Sequence, residues 1–138
     1  MRRHAAQPSE QPVIANSCRF CDLIAEMKGV AIGTVSVIDD AFPVTPGHSL
    51  IVPRRHISDY FGMTFTEKCD IDRAILWLRT ELLKSDPSIE GFNIGTNAGE
   101  VAGQTIAHAH IHLIPRRHGD TPLPRGGVRG VIPDRMQY

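Results

Sequence analysis

Three histidines, His108, His110 and His112, occupy alternate positions in Gly103-Gln-Thr-Ile-Ala-His-Ala-His-Ile-His-Leu-Ile-Pro-Arg116, and the whole chain has only seven. Imidazole has an ordinary pKa of about 6.5, so near neutrality it can attack, donate, accept or bind a metal. If this stretch is a strand, alternate side chains share a face, at a pitch of about 6.6 Å. A row of imidazoles at that spacing can hold one metal ion, with a fourth position left for water. It can equally surround one phosphoryl group, with one histidine as nucleophile and the others stabilising charge. The plainer alternative is the solvated face of an amphipathic strand. Such a face normally mixes in Thr, Ser, Lys or Glu, and this one does not.

The residues just before the row favour phosphate. Asn97-Ala-Gly-Glu-Val-Ala-Gly-Gln104-Thr105 is small, Gly-rich and supplied with amide and hydroxyl donors. Glycine lets backbone N–H groups approach an anion closely, and Gln104 and Thr105 can donate to phosphoryl oxygens. A second cluster lies far upstream. Cys18-Arg-Phe-Cys21 has the spacing of half a zinc site; a packed thiol pair and a redox couple are the alternatives. Cys69 stands alone on an expected helix, as a small buried hydrophobe.

Several elements must position these groups. Cys21–Lys28 reads as a short helix stopped by Gly29, and Thr34–Ile38 as a β-branched strand. Residues 39 to 47 form a turn-rich loop ahead of a strand over His48–Val52, ended by Pro53. Thr64 and Glu67 have capping-box spacing, and Ile71, Ile75, Leu78 and Leu82 recur at helical spacing, predicting a long helix over Thr66–Lys84. Gly91–Gly95 reads as a strand, Thr96–Gln104 as a loop, and Thr105–Ile114 as the histidine strand, ended by Pro115. In that strand Ala107, Ala109, Ile111 and Leu113 face a core, and the histidines face a cleft or solvent. One long helix among short strands predicts an α+β fold with an antiparallel sheet.

Composition narrows the function classes. The chain has 138 residues, 41% hydrophobic and 22% charged, with 15 basic and 15 acidic residues and zero formal net charge. One domain is expected, over residues 18–138, after a mobile Pro-, Gln- and Ser-rich N-terminal tail at 1–17. The charge balance argues against nucleic-acid or membrane binding by bulk electrostatics. There is no apolar run of about 20 residues and no apolar signal core near the start, so a cytoplasmic location is expected. From Gly119 the sequence is Gly- and Pro-rich without periodicity. It reads as a loop-like C-terminal tail, with Gly127–Ile132 as a packing segment.

Three blocks together resemble the histidine triad (HIT) family. They are the His-Ala-His-Ile-His-Leu-Ile run after Gly-Gln-Thr, the segment from Asp40 through Pro46-Gly-His48 to His56, and the Cys18–Cys21 pair of the zinc-containing branch. The resemblance implies a HIT-like α+β fold and a homodimer. It implies hydrolysis at the α-phosphate of dinucleoside polyphosphates or nucleoside phosphoramidates, releasing an AMP-type product. His110 would be the nucleophile, with its second ring nitrogen held by the backbone carbonyl of His108. His112 and His48 would bracket the phosphate. Gln104 and Thr105 would bind phosphate oxygens, Asn97 would sit near ribose and phosphate, and Asp40 would accept from ribose hydroxyls; for Asp40 an Asx turn is the competing role. Cys18, Cys21, His56 and His108 would hold a structural Zn2+, with no cofactor needed for the chemistry. A final His at 112, rather than Gln, points away from the sugar-phosphate nucleotidyltransferases of the family. The alternative is a nucleotide-binding signalling protein without turnover.

Overall fold

A computed structural model describes residues 18–138; the N-terminal tail expected at 1–17 lies outside the described residues. Chain order is α1 (Arg19–Ala25), β1 (Val30–Ile32), β2 (Val35–Asp39), β3 (Ser49–Pro53), α2 (Phe65–Ser85), β4 (Ile89–Gly95) and β5 (Ile111–Arg117). The strands form one sheet in the order β1-β2-β3-β5-β4, every pair antiparallel. This is the expected α+β architecture, with the long helix and the short N-terminal helix in place.

The sheet is covered on both sides, and strand alternation decides which side chains go where. Val35, Val37, Ile51, Ala109, Ile111 and Leu113 pack with Ile71, Ala74 and Leu78 of α2. The opposite face carries Ile38, Leu50 and Val52, which pack with Phe20 and, at the margin, Leu23 and Ile24 of α1. His112 pairs with Leu50 across the β3–β5 ladder and so belongs to the α1 face.

Helix α2 starts as its sequence prescribes. The Thr64 side chain accepts from the Glu67 N–H at 3.1 Å, and the Glu67 carboxylate accepts from the Thr64 N–H at 2.8 Å. Glu67 also takes an Arg55 hydrogen bond at 2.8 Å. Burial pushes the Glu67 carboxyl up, but the bonds from Arg55 and Thr64 outweigh it and hold the pKa below the usual carboxylate range.

Pro53 is the last residue of β3, as expected, whereas Pro115, expected to end its strand, lies inside β5. Pro53 pairs with Val35, and Pro115 with Phe92. In an antiparallel ladder the N and C=O of one residue point to the same side. The Pro53 carbonyl accepts from His108 at 2.7 Å and the Pro115 carbonyl from the Thr45 hydroxyl at 2.7 Å. Each missing N–H therefore falls where the β3–β5 ladder, which spans only Ser49–Ile51 and Ile111–Leu113, has already ended.

The largest departure is at the histidine row. Strand β5 starts at Ile111 rather than Thr105 and runs past Pro115 to Arg117, so His108 and His110 precede the strand. The row is also inward rather than outward. His108 is 0% and His110 6% exposed, His112 is half-buried, and Ala107 is exposed instead of core. Strand β1 carried no sequence signal, at three residues around a turn. The C-terminal tail winds into 3-10 turns at Gly127–Val131 and Pro133–Arg135, with Gly127 beside Asn93 of β4 and the guanidinium groups of Arg125 and Arg129 over the Tyr138 ring at 4.5 and 4.9 Å.

The β1–β2 turn is tied to α2. Asp70 accepts from the Thr34 N–H at 2.8 Å and the Thr34 hydroxyl at 2.7 Å. Gly33, between the strands, has φ +55°, and a Cβ there would strike the Asp70 carboxylate. Gly33→Ala therefore carries both backbone strain and a clash. It is expected to destabilise the fold by about 1–3 kcal/mol, read as a fall in melting temperature of roughly 4–10 °C. An unchanged melting curve would contradict this role for the turn.

Candidate functional site

Hydrogen bonds assign the protonation of each imidazole in the cluster. His110 Nδ1 lies 2.8 Å from the His108 carbonyl, which can only accept, so Nδ1 carries the proton and Nε2 the lone pair. The Thr96 hydroxyl donates to the His110 carbonyl at 2.7 Å, and the Phe20 ring lies 5.0 Å from the His110 ring. The nucleophile candidate is thus held through its backbone, its ring nitrogen and its ring face. Neither Thr96 nor Phe20 was singled out from sequence.

His48 and His112 form a second unit. The Val44 N–H donates to His48 Nδ1 at 3.1 Å, so the His48 proton is on Nε2. That Nε2–H donates to His112 Nδ1 at 2.9 Å, with Asp40 Oδ2 at 3.4 Å from the same nitrogen. His112 must then carry its proton on Nε2. Both nitrogens of His48 are occupied, so His48 stands behind His112 and orients it, rather than bracketing a phosphate beside it. The same assignment disfavours a metal at the Asp40, His48 and His112 group, because a metal on Nε2 would displace its proton to Nδ1 and break the Val44 bond.

Asp40 has both roles weighed for it within reach. Oδ1 accepts from the Phe42 N–H at 2.7 Å in an Asx turn, while Oδ2 faces the histidine pair. Asp40, Asn97, Thr105, His48, His110 and His112 line one cavity of about 390 Å³, a size ordinary for a small-molecule site. Gln104 does not join them. Its amide donates to the Ser58 and Ile106 carbonyls at 2.6 and 2.9 Å, and its Oε1 accepts from the Gly99 N–H at 2.9 Å. Gln104 clasps the loop that carries Asn97 and Thr105, and a side chain so engaged has no donor left for phosphate. A larger cavity of about 610 Å³ at the far end of β5 contains none of the expected site residues.

Cys18, Cys21, His56 and His108 converge although they are far apart in sequence. Their ligand atoms all lie within 4.8 Å of one another. Cys18 Sγ and His108 Nδ1 are 3.3 Å apart, Cys21 Sγ and His56 Nδ1 3.3 Å, and the two Nδ1 atoms 3.1 Å. A tetrahedral zinc with bonds of about 2.0 Å to nitrogen and 2.3 Å to sulfur would set these edges at about 3.3–3.8 Å, so the four side chains fit such an ion closely. His108 Nε2 donates to the Pro53 carbonyl, which leaves Nδ1 bare toward the thiols and is the outer-shell arrangement a ligating histidine needs. His108 therefore touches both clusters, by its ring at one and its carbonyl at the other.

Burial holds the His48 pKa below the ordinary histidine value, with Asp40 opposing. For His112 burial acts the same way, reinforced by His110 and His48 and opposed by Asp40. Both rings stay neutral at pH 7. As the pH falls through about 6.5 the unfolded chain takes up protons that the folded chain refuses until lower pH, so stability must fall over that interval. Melting temperatures, with metal content held constant, should be level above about pH 7.5 and drop as the pH is lowered toward 5.5. His112→Gln should show a shallower drop; an identical slope would contradict the assignment.

The chain is similar to known proteins over most of its length. The HIT domain model matches residues 30–119, which include the histidine row, His48 and His56 but not Cys18 or Cys21. An uncharacterised HIT-like protein of Methanocaldococcus jannaschii is 36% identical over 98 residues, 70% of this chain and 74% of that protein. The AP-4-A phosphorylase of Mycobacterium tuberculosis is 33% identical over 87 residues, 62% of this chain and 44% of the phosphorylase. Among solved structures, a zinc-bound histidine triad family protein from Mycobacterium smegmatis matches with a TM-score of 0.69 and 28% identity, covering 76% of this chain and 78% of that one.

Proposed function

The chain belongs to the HIT (histidine triad) family, and from that premise we propose that it is a nucleotide phosphohydrolase acting at the α-phosphate of dinucleoside polyphosphates or nucleoside phosphoramidates. The observation that carries this reading is the His110 ring, buried in a nucleotide-sized cavity with Nδ1–H bound to the His108 carbonyl and Nε2 left as a lone pair. The name of the mycobacterial relative, AP-4-A phosphorylase, supports the substrate class.

In this mechanism His110 Nε2 attacks the α-phosphorus. A P–N bond to the histidine forms, and the bond to the leaving phosphate or amine breaks. The leaving group departs against a hydrogen bond from His112 Nε2–H, a leaving phosphate as its anion and a leaving amine with a proton from solvent water, and His48, hydrogen-bonded to His112 Nδ1, holds that donor in place. Water then attacks the nucleotidyl-histidine, releasing the nucleoside monophosphate and restoring neutral His110. Thr105 and Asn97 bind phosphate oxygens and Asp40 Oδ2 accepts from ribose hydroxyls. Gln104 contributes by fixing the loop. Cys18, Cys21, His56 and His108 hold a structural zinc ion that staples the start of α1 to the sheet. The protein works in the cytoplasm, where the thiols stay reduced, and as a homodimer; β4 is an edge strand of the sheet.

The test is incubation of the zinc-loaded protein with diadenosine tetraphosphate and with adenosine 5′-phosphoramidate. Release of AMP from either is expected. Tight AMP binding with no product from either substrate would instead favour a nucleotide-binding protein without turnover.

A further inference from the structure

Arg19 has a position that neither the nucleophile nor the metal centre explains. It is the first residue of α1 and is held between Cys18 and Cys21, whose thiols meet His56 and His108. Its side chain is exposed, and among the described residues it forms no ion pair. It lines the cavity of His110 and His112 and also an adjoining hollow of about 540 Å³; besides Arg19 the two share Leu23, Ile38, Asp39, Asp40 and Ala41. Arg19 thus stands at the junction of the two spaces.

The phosphate end of the site is set by His110 and His112 and the ribose end by Asp40. A base attached to that ribose meets a wall of Phe20, Leu23, Ile38, Leu50 and Ile106. An apolar wall accepts any base. Selection comes from a polar group placed among the apolar ones, and a guanidinium offers donors only. Guanine and hypoxanthine present two neighbouring acceptors, O6 and N7. Adenine presents the N7 acceptor beside an N6 donor, so a guanidinium can satisfy one atom and meets N–H with N–H at the other.

We propose that Arg19 is a specificity residue that selects nucleotides with a 6-oxopurine base, guanine or hypoxanthine, by donating to O6 and N7. This rests on the nucleotide reading of the cavity. Because Arg19 lies between the two thiols, the metal centre fixes the reader of the base as well as the carbonyl behind the nucleophile.

Calorimetric binding of GMP, IMP and AMP to the zinc-loaded protein tests it. The wild type should bind GMP and IMP about tenfold or more tightly than AMP, the discrimination usual for one bidentate arginine pair. IMP isolates the contact, since it shares O6 and N7 with GMP but lacks the 2-amino group. Arg19→Met, checked for an unchanged melting temperature, should bring the three affinities together by weakening GMP and IMP. Equal affinities in the wild type overturn the proposal, and so does an equal weakening of all three in Arg19→Met, which would mean stacking over any base. If no nucleotide binds the wild type, the nucleotide reading itself falls and the role of Arg19 falls with it.

Discussion

His110→Ala is expected to lower kcat/KM for diadenosine tetraphosphate by about 10⁴-fold, while the affinity for nucleoside monophosphate changes little. The size follows from the kind of loss. Covalent catalysis divides one difficult displacement into two easier ones, and removing the group that forms the intermediate leaves only positioning and charge stabilisation. Affinity is spared because the rest of the cavity, Asp40, Asn97, Thr105 and His112 among it, stays in place. The prediction separates His110 from His112 and His48. His112→Ala leaves the nucleophile in place and should cost less, about 10²–10³-fold, concentrated on substrates with poor leaving groups. His48→Ala acts only through the 2.9 Å contact with His112 and should resemble a weaker His112 variant. Steady-state kinetics of the three variants checks the order, and His110→Ala retaining wild-type turnover would remove the nucleophile assignment.

The second large effect concerns the metal centre. Stripping zinc with a chelator, or replacing Cys18 and Cys21 by serine, is expected to lower the melting temperature by roughly 15 °C and to abolish turnover together with it. Binding energy at such a site is folding energy, because the four ligands come together only in the native chain. They arrive from α1, from the chain after β3 and from the residues before β5. Turnover is lost for a local reason as well. His108 offers Nδ1 to the metal cluster, while its carbonyl, 2.8 Å from His110 Nδ1, sets the tautomer and aim of the nucleophile. Phe20, between the two thiols, also packs against the His110 ring. Metal analysis, melting curves and activity on the same samples read this. A chelated protein with an unchanged melting temperature would show that the cluster holds no structural ion.

Much of this layout is written in local sequence patterns. Helix α2 was legible because its capping box and the Ile71 to Leu82 spacing are both contained within one element. The structure brings Cys18, Cys21, His56 and His108 into one cluster and places His48, His110 and His112 on one cavity. Alternation, however, only predicts sharing of a face within a strand. It misjudged the start of β5, because residues 105–110 are fixed by side-chain and long-range bonds, such as Gln104 to Ser58 and the Ala109 N–H to the Ile57 carbonyl. The proline rule held at Pro53, where β3 ends, and failed at Pro115, since it depends on which side of the strand lacks a partner, a property of topology. Gln104 was expected at phosphate because an amide can donate; that it is used up by Ser58, Ile106 and Gly99 depends on loop closure. The relay from Val44 through His48 to His112 joins residues 64 positions apart, and no spacing rule reaches that far.

The central claim is a nucleotidyl-histidine at His110, and the stereochemistry at phosphorus tests it most directly. Hydrolysis of a substrate with a chiral α-phosphorothioate in isotopically labelled water should give net retention, because two in-line displacements each invert the centre. Net inversion would mean that water attacks the α-phosphorus in one step, and would contradict the account.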